Sequence, residues 1–151
     1  MKWPNDVLFG RKKVAGILVE SILSGDRATA VIVGCGVNVG QPSFPPDVAE
    51  RATSVVAATG VSLRRDAVLA AALAGLDTLI PLVAGRGLGP VLPRLRAVDV
   101  LTGREIVADL GANGAGKGTA EGIDDDGRLL VRDASGVLHR LGAGEVHIGA
   151  L

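Results

Sequence analysis

The stretch that decides the reading is Lys2 to Glu20, KWPNDVLFGRKKVAGILVE. It has two parts. Lys2-Trp3-Pro4-Asn5-Asp6 sets a cation, an indole, a rigid turn former, an amide and a carboxylate side by side. Val7-Leu8-Phe9, the basic turn Gly10-Arg11-Lys12-Lys13 and Val14 to Glu20 then read as a hairpin. Pro4 fixes its own φ and biases Trp3 toward extended backbone, so a strand is expected to end at Trp3. Asn5 and Asp6 would project from that end. Taken alone they read first as a turn pair.

Downstream, Val14 to Leu23 and Ala28 to Val39 are rich in aliphatic and β-branched residues and are separated by Ser24-Gly25-Asp26, which predicts two strands and a turn. The unbroken apolar run Val31-Ile32-Val33 suggests a central strand covered by helices. Gln41 to Pro46 reads as a loop and Ala49 to Thr59 as a short helix. A longer helix opens at Arg65, with Asp66 as its cap. Leu69, Leu73, Leu76, Leu79, Ile80 and Val83 would form its apolar face, and Pro81 should end or kink it. Leu88 to Ala97 reads as a second, shorter helix.

At Val98 the pattern changes. Val98–Leu101, Glu105–Leu110, Gly118–Ile123, Arg128–Arg132, Val137–Leu141 and Glu145–Ile148 are short strand candidates between turns, the signature of a small closed or half-closed barrel. The expected fold is α+β, a mixed sheet with helices over residues 1–97 followed by a small β-barrel over 98–151.

Composition narrows the function. Acidic and basic residues balance at 16 each, with no basic run to grip nucleic acid. The single cysteine, Cys35, excludes an internal disulfide and suits a reducing compartment. It reads as a small buried hydrophobe, because no histidine lies near it in sequence. No signal peptide opens the chain and no run reads as long enough to span a bilayer, so a cytoplasmic protein is expected.

Gly111 to Lys117 comes close to a phosphate loop, GANGAGK. The pattern requires Ser or Thr directly after the lysine and then a helix. Gly118 stands there and a strand is expected next, so an ATPase centred on Lys117 is rejected. Asp124-Asp125-Asp126 lack calcium-loop spacing. His139 and His147 stand too far from other ligand types to argue a metal site.

Lys2 to Asp6, Lys13, the AGILVE run and Gly34-Cys35-Gly36-Val37-Asn38 together resemble the biotin–protein ligase family, also called biotin–[acetyl-CoA-carboxylase] ligase. The resemblance continues through Ala52-Thr53-Ser54 to the C-terminal β unit. It implies formation of biotinyl-adenylate from biotin and ATP, then transfer of biotin to a lysine of a biotin carboxyl carrier protein or domain of acetyl-CoA carboxylase. By the same resemblance Lys13 is the catalytic cation, reaching the biotin carboxylate and the α-phosphate. Gly16 and Leu18 meet the biotin ring, Asn5, Asp6 and Asn38 face ATP, and Asp6 helps hold Mg²⁺. Arg140 is a further nucleotide contact.

Read from the residues alone, Lys13 could equally be a solvated hairpin lysine and Gly16 a bulge residue. The family's chain is longer. The N-terminal half of its catalytic domain, with a glycine- and arginine-rich loop over biotin, has no counterpart here. Impaired activity is therefore expected, and a non-catalytic carrier- or nucleotide-binding or dimerisation remnant is the alternative. No helix-turn-helix is seen, so no operator binding is expected; no membrane contact is expected either, and a homodimer is.

Overall fold

The computed structural model describes residues 1–110 and 114–148. By its internal contacts the chain divides into two units, one formed by residues 5–72 and one by residues 1–4 with 73–151.

The unit of residues 5–72 holds a three-stranded sheet in the order β1-β2-β3, with β1 Asp6–Phe9, β2 Lys12–Ser24 and β3 Arg27–Val37. Both pairings are antiparallel, not mixed as the sequence suggested. The reason lies in the connections. Gly10-Arg11 and Gly25-Asp26 are two-residue turns, and so tight a link can only fold a strand back on its neighbour. Gly10 and Gly25 sit at φ 59° and 60°, the left-handed region these turns need. Outside the ladders, an isolated parallel bridge joins Lys13 to Ala52. The hairpin falls where the sequence placed it, but the strand begins at Asp6 rather than ending at Trp3.

The expectation of a covered central strand fails. β3 is an edge strand, and Val31, Ile32 and Val33 are 56%, 52% and 41% exposed. An unbroken apolar run encodes the demand for burial, not the presence of whatever meets it.

In place of one helix over residues 49–59 there are two short ones, α1 (Pro46–Ala49) and α2 (Val55–Thr59). Ser54 starts the second by accepting from Ala57 N at 3.1 Å. α3 (Arg65–Arg86) runs across the division between the units. It passes through Pro81 without stopping, because strong helix formers flank that residue on both sides. Asp66 accepts from Ala67 N and pairs with Arg64, a local turn rather than a regular cap. No α3 residue is buried, so the single apolar face read from its leucines is not used. Alanines fill the remaining positions, which makes α3 long and apolar enough, by length and composition alone, to cross a bilayer. That corrects the reading that no run was long enough.

In the other unit, α4 (Leu92–Ala97) carries Pro93 in its first turn, where no backbone N–H is needed. The predicted strand at Val98–Leu101 is absent. Asp99 Oδ1 accepts from Leu101 N, and Oδ2 accepts from Thr102 N and its hydroxyl, so a side-chain turn replaces the ladder. The remaining strands are β4 (Glu105–Asp109), β5 (Ala115–Ile123), β6 (Leu129–Asp133), β7 (Leu138–Leu141) and β8 (Val146–Ile148). They form one antiparallel sheet in the order β7-β6-β5-β4-β8, open along β7 and β8 where a closed or half-closed barrel was expected.

Alternate residues fill this unit's core: Ile106 and Ala108, then Ala120, then Leu129 and Val131. A bulge between Ala120 and Gly122 shifts the phase so that Ile123 also points inward. Leu101, Ile106, Leu129 and Val131 are fully buried. Trp3 joins them, with its indole donating to Gly127 O at 3.1 Å, and the Trp3–Pro4 peptide is cis.

Candidate functional site

Lys13 and Gly16 lie three residues apart on β2, so in a regular strand their side chains would face opposite ways. They do not, because Val14 is an extra residue. Asp6 pairs with Gly16 and Val7 with Ala15, but Leu8 pairs with Lys13. The bulge turns Lys13 onto the face that carries Asp6 and Gly16. Its Nζ then lies 2.5 Å from Asp6 Oδ1, with the lysine side chain 47% exposed and the aspartate 18%.

The backbone at Lys13 is held from the far side. Lys13 N donates to Arg51 O at 2.7 Å and Thr53 N donates to Lys13 O at 2.9 Å. Thr53 and Ser54 are buried, and the Ser54 hydroxyl bonds Gln41 O as well as capping α2. Asn38 closes the arrangement. Its N donates to Val14 O and its Nδ2 to Thr53 O at 3.1 Å, while its own carbonyl accepts from Val55 N.

Between these groups lies an open groove of about 670 Å³. Asn5, Lys13, Gly16, Leu18, Gly34, Gly36 and Asn38 line it, with Ala15, Ile17, Cys35 and Val37. Gly16 pairs with Gly36 and Leu18 with Gly34, so three glycines fall on one face of the sheet. A Cβ on Gly36 would meet nothing closer than 4.0 Å, and one on Gly34 nothing closer than 3.7 Å. Packing within the chain therefore does not require glycine at these two positions. Their effect is to leave a floor of bare backbone beside an ammonium. Such a trough suits a flat, anion-bearing molecule.

Five of the seven residues given a site role from the sequence thus line one groove: Asn5, Lys13, Gly16, Leu18 and Asn38. Asp6 joins through its contact with Lys13. Gly16 is regularly paired, and the bulge falls at Val14 instead. Lys12 points elsewhere and donates to Ala49 O. Cys35 is exposed at the groove, contrary to its reading as a buried hydrophobe. Arg140 is exposed on β7, in the other unit. Thr53 and Ser54 entered the sequence reading only as part of a resemblance. The sequence signal for Ser54 was a hydroxyl directly before an apolar helical run.

The phosphate-loop look-alike does not gain support. Gly111, Ala112 and Asn113 lie outside the described residues, but Ala115 to Ile123 is a strand where a helix is required. Lys117 instead faces Glu105 at 3.9 Å across β4 and β5. A smaller concavity of about 140 Å³ lies here, bordered by Glu105, Lys117, Thr119, Arg132 and Asp133. Beside it, Asp133 organises the β6–β7 turn. It meets His139 Nε2 at 2.7 Å and accepts from Ser135 N, Ser135 Oγ and Val137 N. The His139 contact, then the Ser135 hydroxyl, hold its carboxyl well below the usual carboxylate range. Among the described residues no three His, Cys, Asp or Glu side chains converge as a metal cluster.

Comparison with known proteins places these features. Residues 1–38 match the model of the Biotin/lipoate A/B protein ligase family, and residues 101–149 that of the Biotin protein ligase C terminal domain. The chain is 34% identical to the Bifunctional ligase/repressor BirA of Bacillus spizizenii, over 91% of this chain and 42% of that one. It is 36% identical to the Biotin--[acetyl-CoA-carboxylase] ligase of Paracoccus denitrificans, over 90% of this chain and 58% of that one. It superposes on the biotin protein ligase of Aquifex aeolicus solved with biotin and ATP, at a TM-score of 0.84 and 29% identity, covering 99% of this chain and 62% of that one. The chain thus spans about half the length of the curated relatives it matches. With both models matched, one at the groove and one at the five-stranded sheet, the chain belongs to the biotin protein ligase family.

Proposed function

We propose that the groove of residues 5–38 is the biotin- and adenylate-binding part of a ligase that joins biotin to a lysine of a biotin carboxyl carrier protein. Residues 1–97 are its share of the catalytic domain, and residues 98–151 a C-terminal β domain. The observation that carries this reading is the Lys13 ammonium beside a floor of Gly16, Gly34 and Gly36.

The chemistry explains the need for such a group. The biotin carboxylate oxygen attacks the α-phosphorus of ATP, the bond from that phosphorus to the bridging oxygen breaks, and pyrophosphate leaves. Two anions must approach within bonding distance. A fixed ammonium lowers their repulsion and stabilises the charge on the phosphoryl oxygens. The carrier lysine's amine then attacks the acyl carbon and AMP departs. In this reading Leu18 and the glycine floor hold the biotin ring, and Asn5 and Asn38 border the nucleotide. Mg²⁺ fits the donor set only as a shared ion. Asp6 offers one carboxylate, and a hard cation of this kind is usually completed by phosphates and water. Its contribution would be to neutralise phosphate charge.

A second reading is favoured by the exposure of β3 and α3. The chain by itself retains carrier or nucleotide contacts, or pairs with a second copy, without completing the reaction. The two readings are separated with the purified chain, a carrier domain, biotin and ATP radiolabelled at the α-phosphate. Labelled AMP and biotinylated carrier that disappear in K13A support the ligase reading. Biotin binding without AMP release supports the remnant. No binding of biotin or ATP at all refutes both as assigned to this groove. On this reading we infer a cytoplasmic location, which cell fractionation tests.

A further inference from the structure

We propose that Gly16 acts as a positioning residue that seats the Lys13 ammonium, with Asp6 holding it there as a displaceable stand-in for an anionic ligand. The displacement part rests on the reading of the groove as a biotin site; the seat itself does not.

The seat follows from clearance. A Cβ built on Gly16 would lie 2.8 Å from Lys13 Cε and 2.9 Å from Nζ, closer than non-bonded atoms tolerate. The same Cβ would lie 3.8 Å from Asp6 Oδ1. The lysine thus crosses directly over Gly16 to reach the aspartate. Gly16 itself is regularly paired and does not sit at positive φ, so its backbone accepts alanine. The atoms that must yield are the far end of a flexible side chain. Substitution therefore moves the ammonium while leaving the fold intact, which separates a positioning role from a structural one.

The holding follows from charge and exposure. The pair is half open to solvent on the lysine side, so its strength is modest and a better-placed anion can replace Asp6. An anion in the groove must win Lys13 from Asp6. The aspartate thereby sets a penalty on anion binding, worth about three- to fivefold in affinity for a pair of this exposure.

The test uses the whole 151-residue chain with biotin as the probe, without metal, and biotinol as a neutral control lacking the carboxylate. Titration calorimetry should show D6N binding biotin about three- to fivefold more tightly than wild type, and G16A more weakly. Biotinol affinity should separate D6N from wild type far less. In the ligand-free protein, the ¹⁵N correlation of the Lys13 ammonium should be visible at low temperature and lost in both variants, with melting temperature unchanged. G16A that lowers the melting temperature while keeping the ammonium signal overturns the seat. Biotin affinity unchanged or weakened in D6N overturns the displacement. Failure of wild type to bind biotin refutes the biotin-site reading and the displacement with it, while the ammonium signal still decides the seat.

Discussion

Replacing Ser54 with alanine is the most informative single perturbation of the groove's support, because neither Ser54 nor the partners of its side chain line the groove. Its side chain is fully buried and does two jobs. It caps α2 by accepting from Ala57 N at 3.1 Å, and it donates to the carbonyl of Gln41. Loss of a Ser cap costs about 1 kcal/mol. Losing the hydrogen bond to the Gln41 carbonyl costs about another 1 kcal/mol. The total, about 2 kcal/mol, falls on the segment whose neighbour Thr53 donates to Lys13 O and whose Arg51 accepts from Lys13 N. About 2 kcal/mol corresponds to a roughly 30-fold change in an opening equilibrium. Native-state hydrogen exchange is the assay. The amides of Lys13, Thr53 and Val55 should lose protection by about that factor in S54A, and S54T should restore most of it. Trp3, the only tryptophan, lies in the other unit and supplies a fluorescence reference. Changes below about threefold at Lys13 and Thr53 would refute the claim that Ser54 braces the lysine strand.

Other expectations are testable with standard measurements. Asp133 titrates below the ordinary range when folded, so its contribution is complete above the unfolded carboxylate pKa of about 4 and fades as the pH drops below it. D133N should accordingly lower the urea midpoint at pH 7, with the gap to wild type narrowing at pH 3; a gap that widens on acidification contradicts this. Leu129, fully buried between β5 and β7, should cost about 2–5 kcal/mol as alanine, read from Trp3 fluorescence during urea unfolding in the same unit. Leu69 and Leu73 are 59% and 51% exposed on α3, so the L69Q/L73Q double variant of this chain should change stability by no more than about 0.5 kcal/mol per site. A loss of several kcal/mol there would mean that α3 is covered.

Much of the fold could be read from local chemistry. The Gly25-Asp26 turn, the β2 and β3 runs and the alternation that places Ile106, Leu129 and Val131 inside are properties of short windows. What failed depended on distant partners or on side chains competing with the backbone. Val31 to Val33 announce a need for cover, but no short window says whether the cover is part of the chain. Val98 to Leu101 have strand-like composition, yet the Asp99 carboxylate captures the amides a ladder would use. At the site, residue types pointed to Lys13, Gly16 and Asn38, while the reason they converge did not. Nothing in the composition of KKVAG says that Val14 is skipped in the pairing. Nor does Asn38 reveal that its amide is spent on Thr53.

The skipped valine has a consequence for how this groove tolerates change. Inserting one residue between Val7 and Leu8 would delete no charge and no groove-lining atom, yet it would give Val14 a partner, restore strict alternation and swing the lysine to the opposite surface of the sheet. Exchanging Val14 for another aliphatic residue preserves the offset. Between Asp6 and Gly16 the number of residues is therefore constrained more tightly than their identity, and a one-codon insertion between Val7 and Leu8 should silence the groove where most substitutions would not.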